Sequence, residues 1–495
     1  MLRIPINFLT APLIADLLLL AMTAIGRQEV HDGTVGADNI FPIDIMAFFI
    51  TLAYIAISID ASGLIRWLAF KVLQKGGSRG HWLYLYLYTF FFLMACAIGN
   101  DPVILSGTAF LAYMTRISSN IKSPKAWIFT QFTVANIGST VLVSSNPTNL
   151  VLAGAFKIKF ITYTANVIVP VFVTATLLFP FLLWIAFPYE SLIPTSITLH
   201  ELPQAAKEKA PVNPNIPNAR GTAEEAENAD TEEAKLLSLE EVMNPFLDKK
   251  GAWAGAVIMA TTLVTILALN AATDSSKEHP VYWVTLPAAF VMLCWDLAFG
   301  WRHRKETRDI ARKGRREVEE ARKQREAAPK RSSSEDDESH EMTEIDRSRS
   351  ARQDEASSAT GRERQTASSA SSPDPESSVE DEKHATAAAQ PMPEGVARKG
   401  TLVSGVRRSW RWFQETFPTT AAVLGHLPLP LVPFAFCMFV LVQGLVTKGW
   451  VPVFAYGWDH WVNKTGAVGA IGGMAFLSVI MCNVSPAARS DRRIG

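Results

Sequence analysis

Two short polar runs interrupt strongly apolar sequence, Gly99-Asn100-Asp101-Pro102 and Ser144-Ser145-Asn146-Pro147-Thr148-Asn149. The side chains of Asn100, Ser145, Asn146, Thr148 and Asn149 offer neutral carbonyl and hydroxyl oxygens. With backbone carbonyls freed by a helix break, such oxygens can coordinate a hard cation such as Na+, and Asn100, Ser145 and Asn146 are the candidate set. The backbone N–H groups at the same breaks, and the helix N-termini that follow, can instead face an anion. Asp101 is the one carboxylate at a break, able to balance a cation or take a proton. The competing reading is structural: Asn and Ser in apolar helices cap ends or bond a neighbouring helix, while Pro102 and Pro147 kink the chain. Gly99 and Gly138 are candidate hinge positions beside the two prolines. Thr108 and Ser139 favour neither reading.

The elements that must position these runs follow from composition. Of 495 residues, 48% are hydrophobic, and most of the 47 Lys or Arg and 47 Asp or Glu fall in two polar regions between long apolar segments. Segments of about 20 apolar residues cross a bilayer, so the chain is polytopic. Spans are expected over residues 6–25, 43–59, 161–187, 252–270 and 281–299. Residues 82–98 and 103–113 form two arms meeting at the first break, each short for a crossing, and together they fit a re-entrant hairpin. Residues 127–155 form a broken transmembrane helix around the second break. A bilayer core has no water for exposed backbone polar groups, so such breaks survive only inside protein or around a solute. Two of them in one half of a chain point to a carrier's binding site.

Basic residues choose an orientation. Residues 301–325 hold eleven Lys or Arg, and Arg66, Lys71, Lys75, Arg79, Arg116, Lys122 and Lys125 flank the hairpin. Placing both groups in the cytoplasm puts the N-terminus and both long inserts inside. The first apolar stretch carries no small-residue cleavage site and is taken as a retained span rather than a signal peptide. Residues 331–393, rich in Ser, Ala, Glu and Arg, cannot bury enough apolar surface to offset ordering entropy and are expected to be disordered. Of the acids in or near spans, Asp44, Asp60 and Asp296 fall by the span ends, where solvation accounts for them. Asp16 lies inside the first span, a candidate for proton coupling.

Several functions lose support at this stage. Cys96, Cys294, Cys437 and Cys482 lie in apolar stretches without metal-ligand spacing, so no cofactor is expected. No Gly-x-x-x-x-Gly-Lys-Ser/Thr run is present to cradle a nucleotide, no nucleophile arrangement suggests an enzyme, and nothing supports nucleic-acid binding. An internal repeat is visible instead. Met46 to Ile65 can be laid over Phe434 to Val451, and each copy runs on to an apolar arm with a polar tip, Cys96 to Pro102 in one and Ile480 to Pro486 in the other. By the parity of the spans the two copies are inverted, and Asn483 is the counterpart of the first tip.

The tip Gly99-Asn100-Asp101-Pro102, followed by Val134-Ala135-Asn136-Ile137-Gly138-Ser139-Thr140 and the Asn146-Pro147-Thr148-Asn149 break, resembles the ion transporter superfamily. The resemblance is strongest to the branch that holds arsenite pumps, citrate-transporter-like proteins and related Na+/H+ antiporters. It implies an all-α fold of inverted repeats with re-entrant hairpins, in which each half supplies a hairpin tip and an unwound helix around a mid-membrane site. The implied domains are 1–189 as the first transmembrane repeat, 190–250 as a polar insert, 251–300 as a helix pair, 301–425 as a charged then disordered loop, and 426–495 as the start of a second repeat. The implied activity is secondary transport of a small anion or oxyanion, citrate-like or arsenite-like, coupled to Na+ or H+, with a Na+/H+ antiporter as the alternative. Expected partners are the lipid bilayer, the anion and the coupling ion, with a homodimer as an open option. The plasma membrane is the expected location and an organelle membrane the alternative. After Asn483 the sequence has no apolar return arm, so the second half is expected to be truncated relative to the family. A transport-inactive membrane scaffold is the reading from another class.

Overall fold

The computed structural model describes residues 6–37, 39–198, 210–221, 239–240, 242–272, 280–327 and 402–484. Residues 331–393 and the tail after Val484 lie outside these. The chain divides into one unit of Met1–Val318 with Trp410–Gly495 and another of Glu319–Ser409. Everything described is helix, turn or loop apart from two isolated bridges. Among the described residues six helices are long and apolar enough to cross a membrane, and the protein is an all-α polytopic membrane protein.

The first helix, α1 (Thr10–Ala21), has 12 residues, fewer than the about 20 that a crossing needs. The span expected over 6–25 is therefore shorter in the structure, because the chain turns at Thr23, a non-glycine residue at φ 56°. A short amphipathic helix, α2 (Arg27–Thr34), follows, and then α3 (Pro42–Ala61), which starts on a proline whose missing N–H is of no consequence in a first turn. Most of α3 is buried, on all sides, as expected of a helix that packs against several neighbours rather than lipid. Then follow α4 (Leu64–Gly76), α5 (Gly80–Ile98), α6 (Asn100–Arg116), α7 (Lys125–Gly138), α8 (Pro147–Ala155) and α9 (Phe160–Phe181).

Two cores hold these helices. One joins α4, α5, α6, α7 and α9, with Tyr84 edge-on to Trp127 at 5.3 Å and the Tyr88 hydroxyl donating to the Ala175 carbonyl at 2.6 Å. The other surrounds α3 with α8, α10 (Lys249–Ala272), α11 (Tyr282–Ala327) and α13 (Pro418–His426). The remaining elements are α12 (Leu402–Thr416), α14 (Leu431–Thr447) and α15 (Trp450–Val484).

Polar sequence after α9 is partly built into the body of the protein. Ile193 and Ile197 are buried, Leu192 accepts from Trp127 Nε1 at 2.9 Å, and Thr195 accepts from the Gly80 N–H at 2.9 Å. Further on, Asn215 Nδ2 donates to the Ala61 carbonyl at 2.8 Å and the Asp248 N–H to the Ser62 carbonyl at 2.9 Å, closing the end of α3. Protein, not water, therefore covers Asp60, which corrects the solvation expected for it. Asp60 is 5% exposed and accepts from Ser106 on α6. Asp296 is likewise buried, its Oδ2 accepting from Ser58 at 2.8 Å and Tyr54 at 3.0 Å. Asp16 is buried too, and its Oδ1 has no partner among the described residues.

The two segments laid over each other in the sequence share a backbone feature. Gly63 between α3 and α4 lies at φ 84°, and Gly449 between α14 and α15 at φ 76°. The break after α4 is at Gly77 (φ 58°), and α15 is interrupted at Gly466 (φ 66°). Glycine is the residue that reaches this region without a steric penalty, and Gly63 and Gly449 occupy the same place in the two aligned segments.

Glu29 of α2 ties the first loop to the end of α14. Its own N–H and that of Gly26, then Thr447 and Lys448, hold its carboxyl below the ordinary carboxylate range. A lowered folded value means that this stabilisation is present above the unfolded value of about 4.3 and is lost as pH falls through the folded one. The thermal midpoint of the native protein should therefore exceed that of Glu29→Gln near neutral pH, and the two should converge in acid. A difference that grew on acidification would contradict this assignment.

Candidate functional site

The two polar runs meet. At the hairpin tip Gly99 lies at φ 88° and ψ 170°, and a Cβ added there would sit 2.8 Å from the Ser145 carbonyl oxygen. Gly99 is thus required twice, by its backbone angle and by the approach of the second break. That break unwinds after α7 into a short turn, Val143–Ser145, before α8 starts. Pro102 lies in the first turn of α6 and Pro147 is the first residue of α8, where a proline starts a helix rather than kinks one.

Hydrogen bonds stitch the breaks to each other. Ser145 Oγ donates to the Cys96 carbonyl at 3.1 Å, answering one of the free carbonyls at the end of α5. Asn100 Nδ2 donates to Asn136 Oδ1 at 3.2 Å. Asn146 caps α8, its Oδ1 accepting the Thr148 N–H at 2.9 Å. Gln131, fully buried, braces α7 against α6 by donating to the Val103 carbonyl at 2.7 Å and accepting from Thr108 at 3.0 Å.

A cavity of about 420 Å³ opens at this meeting point, between α3 and the two breaks. Gly99, Asn100, Asp101, Pro102, Ser145, Asn146 and Pro147 of the expected site all line it. Thr148 and Asn149 do not. Asn149 is buried and donates through Nδ2 to the carbonyls of Ser139 (2.8 Å) and Leu142 (2.9 Å), so it satisfies the unwound backbone instead of facing the cavity. Gly138 is a packing point in the structure, since a Cβ there would lie 2.7 Å from the Phe92 carbonyl oxygen. The side chain of Asn483 lies outside the described residues.

Two lining residues, Asn136 and His426, were missed as site residues. Asn136 falls ten residues before Asn146 in an apolar helix, a polar outlier that the sequence displays. His426 comes from the end of α13, and nothing in the spacing links it to a site some 280 residues earlier in the chain. A larger cavity of about 780 Å³ lies around the start of α3 and the end of α8, lined by Asp44, Lys157 and Asn270 and by none of the break residues.

The electrostatics of the smaller cavity are mixed. The N-termini of α6 and α8 both end on it, two positive dipole ends. Among the described residues the one carboxylate in its lining is Asp101, in the first turn of α6. Asn136 and Asn146 each accept one hydrogen bond, and a carbonyl oxygen has a second lone pair with which it can meet a cation. No group of three or more His, Cys, Asp or Glu that could hold a metal occurs among the described residues.

Residues 3–301, which contain both breaks, match the citrate transporter family, CitMHS. The chain belongs to the citrate transporter family. That family is one of transporters rather than enzymes. The chain is also similar to arsenical pump membrane proteins, 29% identical over 162 residues to one from Escherichia coli and 28% over 130 residues to one from Yersinia enterocolitica. These matches take in 32% and 26% of this citrate transporter family chain, and 37% and 30% of the two relatives. The chain therefore spans well under half the length of the curated relatives it matches. No solved structure matches it.

Asn149→Ala should destabilise the fold by about 1–3 kcal/mol, because the buried Ser139 carbonyl loses the Asn149 donor while that of Leu142 keeps the Ser145 N–H. The measurement is a thermal midpoint in detergent, and a midpoint equal to that of the native protein would show that Asn149 does not hold the break.

Proposed function

We propose that this protein is a secondary carrier for a small anion or oxyanion, citrate-like or arsenite-like, working by alternating access and coupled to Na+ or H+. The observation that carries the reading is the convergence of the hairpin tip and the unwound helix on one cavity, with the ends of α6 and α8 directed at it. Two helix N-termini favour an anion electrostatically, and half-helix ends at membrane depth are how carriers hold charged solutes. Asn100, Asp101, Ser145 and Asn146 are the proposed binding residues, with Asn136 and His426 joining them. Na+, where it is the coupling ion, would be held by oxygens of Asn100, Ser145 and Asn146 as cargo and not as a resident cofactor. Thr148 and Asn149 act by shaping the backbone. The domain boundaries given above, the plasma membrane and cytoplasmic inserts complete the reading, the last supported by the basic flanks of the hairpin.

Uptake of citrate and of arsenite into proteoliposomes, with Na+ and proton gradients imposed separately, tests it. Asn146→Ala removes the α8 cap and a cavity oxygen, and should cut uptake by roughly tenfold or more, in line with an interaction of ~1.4 kcal/mol or above. Unchanged uptake would remove the site assignment. No uptake of either solute under any gradient would instead favour the membrane scaffold.

The single carboxylate in the cavity lining favours one second reading, a Na+/H+ antiporter with Asp101 as the exchanging group. Asp101→Asn should then abolish sodium-dependent proton movement in the same vesicles. A normal exchange rate would exclude that reading while leaving anion transport standing.

A further inference from the structure

Where α11 leaves the apolar part of its length, Trp301 stacks on Phe417 with ring centroids 6.3 Å apart, and Arg304 lies 4.3 Å over the Trp301 ring. Trp412 meets Phe417 edge-on at 6.0 Å, and Trp410 stacks on Phe413 at 5.6 Å. Indole rings beside arginines mark the level of lipid headgroups. Helix α12 ends in this cluster, held to α11 by the Arg315–Glu415 ion pair and continuing through Phe417 into α13. It is therefore tethered beside membrane-crossing segments at both the aromatic and the ionic contact.

The sequence of α12, Leu-Val-Ser-Gly-Val-Arg-Arg-Ser-Trp-Arg-Trp-Phe-Gln-Glu-Thr, is sharply two-faced. At ~100° per residue, Val406, Trp410 and Phe413 share one stripe, while Arg407, Arg408 and Arg411 fall on the flank and back of the helix. The described residues leave Val406 70% and Trp410 48% exposed on this stripe, while Phe413 is half-buried against Phe417, 5.4 Å away. The three arginines are exposed as well. A helix with uncovered Trp and Val on one face, arginines on the other and a tether to membrane spans matches an interfacial helix that lies in the plane of the bilayer.

We propose that α12 lies flat in the membrane–water interface on the basic side of the protein, with Val406, Trp410 and Phe413 in the acyl boundary and Arg407, Arg408 and Arg411 holding phosphates of anionic phospholipids. The occupant is the leaflet itself. Guanidinium groups pair with lipid phosphate in bidentate fashion, and each basic residue at an anionic surface shifts partitioning by roughly fivefold. This surface is remote in sequence from the cavity residues of the first repeat, and its assignment does not depend on what the protein transports.

The test is photocrosslinking of the full-length protein in nanodiscs, with p-benzoyl-phenylalanine placed singly at Val406, Trp410 or Ser404. Ser404 lies on the other side of the helix by periodicity. Lipid adducts at Val406 and Trp410, and few at Ser404, are expected in mass spectra. In discs that mix phosphatidylcholine with phosphatidylglycerol, the adducts should be enriched in phosphatidylglycerol over the bulk. The Arg407→Gln/Arg408→Gln/Arg411→Gln variant should lose that enrichment while keeping its elution volume and thermal midpoint. Adducts to protein at Val406, or equal lipid adducts at all three positions, would overturn the interfacial placement. Adducts at bulk composition in the native protein would overturn the anionic preference.

Discussion

The constraint on which this structure depends is that backbone groups set free at two helix breaks, inside a body that faces lipid, must all find partners. An orphaned carbonyl or N–H there has no water to turn to, and each costs several kcal/mol in a hydrocarbon setting. The protein meets the requirement locally. Asn149 takes two carbonyls of the unwound stretch, Ser145 takes that of Cys96, and Asn146 takes an N–H at the start of α8. Because Ser145 reaches across from the second break to the first, the two breaks are held as a single object and the cavity between them is a consequence.

The same logic explains why α3 is so fully buried. It is the helix against which the cavity, the second core and the polar insert are all assembled, and its own polar residues are answered one by one. Thr51 bonds Thr285 at 2.7 Å, Tyr54 and Ser58 bond Asp296, and Asp60 bonds Ser106. Such pairs fix the rotation of α3 between α6 and α11 more sharply than apolar packing would, since each misplaced hydroxyl would leave a buried group unpaired.

The interfacial helix and the cavity illustrate two uses of the same residue types. At the cavity, polar side chains face inward, where several of them meet freed backbone groups. Along α12, polar side chains face outward because headgroups do, and the tryptophans sit at the boundary. What distinguishes them is the period: isolated polar interruptions in apolar runs at the cavity, and a helical alternation of apolar and basic residues in α12.

Much was legible in the sequence for a physical reason. Long apolar runs have few alternatives to transmembrane helices, and Asn, Pro and Gly inside such runs have few alternatives to a break, so the all-α class and the positions of the two breaks could be read directly, whereas the first arm, expected to be short, is a 19-residue helix long enough to cross. Gly63 and Gly449, aligned in the sequence, both adopt positive φ. The direction of each side chain was not legible. Whether Asn149 faces a solute or the chain behind it, whether Asp60 meets water or Ser106, and whether His426 reaches the first repeat are decided by long-range packing. Sequence spacing fixes which residues can share a helix face, but it does not say what lies opposite that face. The two polar runs were determined by the sequence as breaks; that they close on one cavity, with some residues holding the breaks open and others lining the space, was decided only by the tertiary structure.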